Sequence, residues 1–98
     1  MQKTSLITDD MEHCFICGTN QNIQIHHCIH GTANRKKADK YKLIIPLCIY
    51  HHTGSRYAVH QDAVLDLKIK QLAQKKFEEV YGHEKFMEVF GKNYIEIP

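Results

Sequence analysis

Residues 46–52 read PLCIYHH, with a histidine three positions after the cysteine and a second histidine directly behind it. Cys48 and His51 have the spacing at which a thiolate and an imidazole can meet one metal ion, so His52 is left for a second purpose. Upstream, Cys14-Phe15-Ile16-Cys17-Gly18 supplies the matching pair, because the glycine permits a tight turn and both sulfurs can face one ion. Cys14, Cys17, Cys48 and His51 are therefore read as the two knuckles of a structural zinc site. A chain of 98 residues has one small core and gains from such a staple. The competing reading makes Cys14 and Cys17 a redox pair, but no thioredoxin-like strand–helix setting surrounds them. Cys28 is expected to be a buried thiol.

Outward from the knuckles, IQIHHCI alternates as a half-buried strand does, with Ile23, Ile25, His27 and Ile29 on one face and His26 turned to the other. HGTANRKKADK reads as a loop with a basic cluster. YKLIIPLC reads as a second strand that stops at Pro46, where a backbone donor is missing. The two strands would then form a hairpin with a long loop. After a turn at Gly54, Leu65, Ile69, Leu72, Phe77, Val80 and Tyr81 recur near the helical repeat up to a stop at Gly82. A shorter helix through EKFMEVF turns Phe86, Val89 and Phe90 inward and ends at Gly91.

Thirteen Lys+Arg against eleven Asp+Glu give a formal charge of +2, well short of the balance of a protein that coats nucleic acid, so any polyanion contact would be local. The opening residues have no apolar run of signal-peptide or membrane length. A cytoplasmic setting with reduced cysteines is expected. Residues 1–12 read as a loosely docked lead-in and 13–98 as one domain, with its core at 14–60 and a helical part at 61–98.

Four histidines, His26, His27, His52 and His60, remain near the knuckles. Any one alone reads equally well as a solvated or satisfied imidazole. As a set they fit a catalytic metal, which needs two or three protein ligands, an open position and a separate base. His13, His30 and His83 read as surface residues.

The order Cys-x-x-Cys, His-His, Gly, a basic stretch, Pro-Leu-Cys-x-x-His-His and a later Val-His resembles the HNH endonuclease superfamily. Within it the chain is most similar to phage-encoded proteins akin to the recombination enhancement function nucleases. The resemblance runs from about Cys14 to His60 and implies a small α+β fold: a ββα-metal (His-Me finger) core with the zinc knuckles and C-terminal helices. It implies a DNA phosphodiester hydrolase in which His27 is the general base and His26, His52 and His60 hold one divalent ion, Mg²⁺, Mn²⁺ or Ni²⁺. Because a regular strand sends His26 and His27 to opposite faces, a bulge is expected between them. The asparagine that usually orients the base is missing from the second strand. Asp39 is its best substitute and Asn34 the runner-up, while Asp39 as a turn or helix cap is equally open. Arg35, Lys36, Lys37 and Arg56 are expected to contact DNA phosphates. A homodimer, for cuts in both strands, stays open, and a bacterial host cell is the implied setting. The rival function is a non-catalytic zinc module that binds nucleic acid or protein.

Overall fold

The computed structural model describes residues 4–54 and 58–95. Two strands, β1 (Ile23–His27) and β2 (Ile44–Cys48), pair antiparallel in the register Ile23↔Cys48 to His27↔Ile44. They are not joined by a loop: the connection contains helix α1 (Thr32–Lys40). Alanine, arginine and lysine favour a helix, and Lys37 and Lys40 in the last turn suit its dipole. Among its described side chains only Ala38 is buried, so TANRKKADK carries no apolar repeat by which the sequence could announce a helix.

β2 also departs from expectation. It runs through Pro46 to Cys48, because in a two-stranded sheet each strand has one unpaired edge that can tolerate a missing donor. The Pro46 carbonyl accepts the Phe15 N–H at 2.8 Å, which lays the first cysteine turn along this strand. On β1 only His26 is buried, on the face it shares with Ile45 and Leu47, while Gln24 on that face is exposed; β2 is buried throughout. Ile45 and Leu47 are fully buried, whereas Ile23 and Ile25 are only half-buried. From Ile23 to His27 the pairing is one to one, so the bulge expected between the two histidines is not there.

After β2 come a single helical turn, α2 (Ile49–His52), a 3₁₀ turn (Val59–Gln61), α3 (Ala63–Tyr81) and α4 (His83–Phe90). Gly54 closes the α2 turn. A Cβ there would lie 2.9 Å from the Ile49 carbonyl oxygen, so only glycine brings its N–H to the 2.7 Å bond that oxygen accepts. Asp62 caps α3, its carboxylate accepting from the N–H groups of Val64 and Leu65 at 3.0 and 3.1 Å. Gly82, at φ 86°, separates α3 from α4. Ile69, Ala73 and Phe77 of α3 meet Phe86 and Phe90 of α4 and the interior face of the sheet in one core. Val80 and Tyr81, expected on the buried stripe, are largely exposed, because the core ends at Phe77. The lead-in is docked from Ser5: the Leu6 N–H donates to the Lys42 carbonyl at 2.9 Å, and Leu6 and Ile7 pack on the core. Among the described residues, no helix is long and apolar enough to cross a membrane.

Candidate functional site

Cys14 and Cys17 sit on the turn that runs along β2, while Cys48 and His51 sit at the end of β2 and on α2. Their four ligand atoms lie within 4.8 Å of one another. Cys17 Sγ and Cys48 Sγ are 3.8 Å apart, and His51 Nδ1 is 3.4 Å from Cys48 Sγ and 3.7 Å from Cys14 Sγ. Two sulfurs each about 2.3 Å from one tetrahedral ion stand roughly 3.8 Å apart, so this cluster can hold a metal such as zinc. None of the four cysteines is in a disulfide. Burial opposes ionisation of Cys14, but the backbone N–H groups of Cys17, Cys48 and Ile16 outweigh it and hold the thiol down at about 6, in favour of the thiolate a metal requires. Cys28 is fully buried away from the cluster, and burial pushes its thiol well up.

A second cluster forms where β1 faces α2 and the 3₁₀ turn. One ring nitrogen each of His26, His52 and His60 lies within 4.8 Å of the others. His52 Nε2 and His60 Nε2 are 3.1 Å apart, close to the spacing of roughly 3.3 Å between two nitrogens on one tetrahedral ion. The other nitrogen of His52, Nδ1, donates to Gln24 Oε1 at 2.6 Å, which fixes the ring and leaves Nε2 facing the cluster. His26 is 1 % exposed, and its Nε2 has no hydrogen-bond partner. A buried polar atom left unpaired costs about 1–3 kcal/mol, so a native structure needs a reason for it. Burial first, then the neighbouring His52, His60 and His30, push the His26 imidazole down to about 3. Burial and neighbouring imidazoles lower His52 and His60 as well. A neutral imidazole is the form that binds a metal.

His27 needs no bulge to join this cluster. It is the last residue of β1, and a cavity of about 270 Å³ at that strand end is lined by Ile25, His26, His27, His30, Arg35, His52 and His60. Where the strand ends, its two faces open onto the same space. His27 Nε2 donates to Asp39 Oδ1 at 2.9 Å, so α1 orients the ring and leaves Nδ1 for other work. Asn34 is elsewhere engaged, donating to the His30 carbonyl at 3.3 Å. A second, open cleft of about 510 Å³, lined by His27, Gly31, Arg35, Lys36 and Asp39, adjoins the first through His27 and Arg35. Lys37 lines neither cavity, and Arg56 lies outside the described residues.

No family model matches the chain, and neither a curated protein nor a solved structure does.

His30, expected at the surface, instead lines the histidine cavity. Its Nε2 donates to Asp66 Oδ1 at 2.9 Å, Asp66 pairs with Lys70 at 2.8 Å, and its ring centroid lies 5.6 Å from that of His60 and 6.1 Å from that of His26. Burial opposes ionisation of Asp66, but Lys70 and His30 outweigh it and hold the carboxyl below its ordinary value. The one sequence signal was parity: His30 lies four residues after His26, on the same side of an extended chain. Gln24 gave no signal at all, since nothing marks a glutamine as the partner of a histidine 28 residues away.

Proposed function

We propose that this chain is a metal-dependent endonuclease that hydrolyses phosphodiester bonds in DNA on the ββα-metal plan of the HNH superfamily. The observation that carries the reading is the buried, unpartnered Nε2 of His26. It shares its cavity with His52, His60 and a histidine already held by a carboxylate. Solvated surface histidines would need none of these features. A structural zinc belongs at Cys14, Cys17, Cys48 and His51. A divalent ion, Mg²⁺, Mn²⁺ or Ni²⁺, held by His26, His52 and His60 would neutralise charge developing on the scissile phosphate and the leaving 3′ oxygen.

The chain's own groups do the rest. Asp39 accepts Nε2–H of His27, which orients the ring and leaves Nδ1 to take the proton of the attacking water. As the new P–O bond forms, the bond to the 3′ oxygen breaks and that oxygen takes a proton from solvent. Arg35 and Lys36, on the wall of the adjoining cleft, seat the sugar–phosphate backbone without reading its sequence.

The test is nicking of supercoiled plasmid by zinc-reconstituted protein in Mg²⁺, Mn²⁺, Ni²⁺ or EDTA. Metal-dependent nicking is expected, abolished by His27→Ala and slowed roughly 10- to 100-fold by Asp39→Asn, as for other groups that orient a working histidine. Asn34→Ala should cut at the wild-type rate. No nicking in any metal, with a single tightly held zinc per chain, would leave the zinc-module reading in its place.

A further inference from the structure

Away from the histidines, α3 and the segment after α4 enclose a groove of about 600 Å³, lined among others by Lys70, Gln71, Lys75, Lys92, Asn93 and Tyr94. Among the described residues no carboxylate lines it. Its outer wall is built rather than draped. Gln74 is fully buried; its amide donates to Asn93 Oδ1 at 2.7 Å and accepts the Tyr94 N–H at 2.8 Å, while Gln71 donates to the Tyr94 carbonyl at 3.1 Å. A polar side chain spends its burial here on fixing the wall. The ammonium groups of Lys70 and Lys92 each stand 5.4 Å from the Tyr94 ring centroid, so the ring places two of the three cations. Lys75 and Lys92 are exposed, and among the described residues no carboxylate pairs with either.

The groove is also connected to the histidine cavity. Lys70 reaches Tyr94 on one side and Asp66 on the other, and Asp66 holds His30, which lines that cavity.

We infer that this groove is a second binding site, for the sugar–phosphate backbone of the nucleic acid strand whose scissile phosphate lies at the histidines. The position of that phosphate rests on the proposed function; the groove's affinity for a strand does not. Lys75 and Lys92, which no carboxylate of the described residues pairs, stand beside Lys70, which Asp66 shares, and three ammonium groups on one wall suit a row of phosphates.

Binding of a fluorescein-labelled single-stranded dodecanucleotide to the zinc-reconstituted chain, followed by anisotropy across a salt series without added divalent ion, tests this apart from cleavage. Lys75→Glu with Lys92→Glu should weaken binding at least tenfold and reduce the slope of log K against log salt by about 1.4, for two phosphates at about 0.7 each on a single strand. Lys75→Arg with Lys92→Arg should bind within about twofold of wild type, since phosphate contacts follow charge. Lys68→Glu with Lys85→Glu makes the same change of net charge off the groove and should cost less than threefold. Equal losses in the two reversed pairs, or no loss at Lys75 and Lys92, would overturn the inference. So would poly-glutamate binding as tightly as the oligonucleotide. A plasmid left uncut by wild type would sink the nuclease reading and leave this result standing.

Discussion

A single imidazole shows most plainly how burial becomes chemistry. His26 lies on the face of β1 that meets Ile45 and Leu47, and its Nε2 faces two other imidazoles instead of water. Its pKa, about 3 against an ordinary 6.5, makes pH a probe of the fold. As pH falls through about 6.5 the unfolded chain takes up the proton and the folded chain does not. Stability contributed by this group is therefore full at higher pH and is lost between about 6.5 and about 3. At roughly 1.4 kcal/mol per pKa unit, the loss reaches the order of 5 kcal/mol at the acid end. Urea unfolding of protein freed of weakly held metal, from pH 7 to pH 4, should show wild type losing stability more steeply than His26→Leu. Parallel pH profiles would contradict the assignment. At the same scale, Asp39 of α1 meets His27 at 2.9 Å, a partnership that spacing alone leaves open.

The elements were legible to the extent that each one's apolar residues recur. α3 and α4 carry Ile69, Phe77, Phe86 and Phe90 at helical spacing and bury them, so periodicity found both helices and their glycine boundaries. Among the described side chains of α1 only Ala38 is buried, and a polar run of this kind reads as a loop. This difference carries function, since only as a helix does the segment bring Asp39 to His27 and Arg35 to the shared wall of both cavities. α3 depends on its start. Asp62 satisfies two N–H groups there, and Asp66, one turn later, holds His30. Asp62→Ala should cost about 1 kcal/mol in urea unfolding through loss of the cap, while Asp62→Ser should recover most of it.

Across the whole molecule, the Cys14, Cys17, Cys48 and His51 cluster ties the N-terminal turn to the end of β2 and to α2, and α2 carries His52. The histidine cavity therefore depends on the cysteine cluster for its geometry. Binding of a structural metal contributes directly to folding, by about 10–16 kcal/mol in small zinc peptides. A strong chelator should release one zinc per chain and, in step with it, the far-UV circular dichroism of the fold. Cys48→Ser should leave a chain that neither retains zinc nor unfolds cooperatively. Zinc release with the dichroism unchanged would show that the apolar core suffices alone.

The sequence by itself determined the knuckles, the C-terminal helices and the set of histidines from which a site can be built, because ligand spacing and apolar repeats are local properties of a chain. Tertiary structure decided the rest. It turned His26 of β1 inward, placed a helix between the strands, opened one cavity to both neighbouring histidines, and brought Gln24 to His52 and Asp66 to His30. Each of these depends on partners 28 to 36 residues apart or on which sheet face is covered. Such facts exist only once the chain has packed against itself.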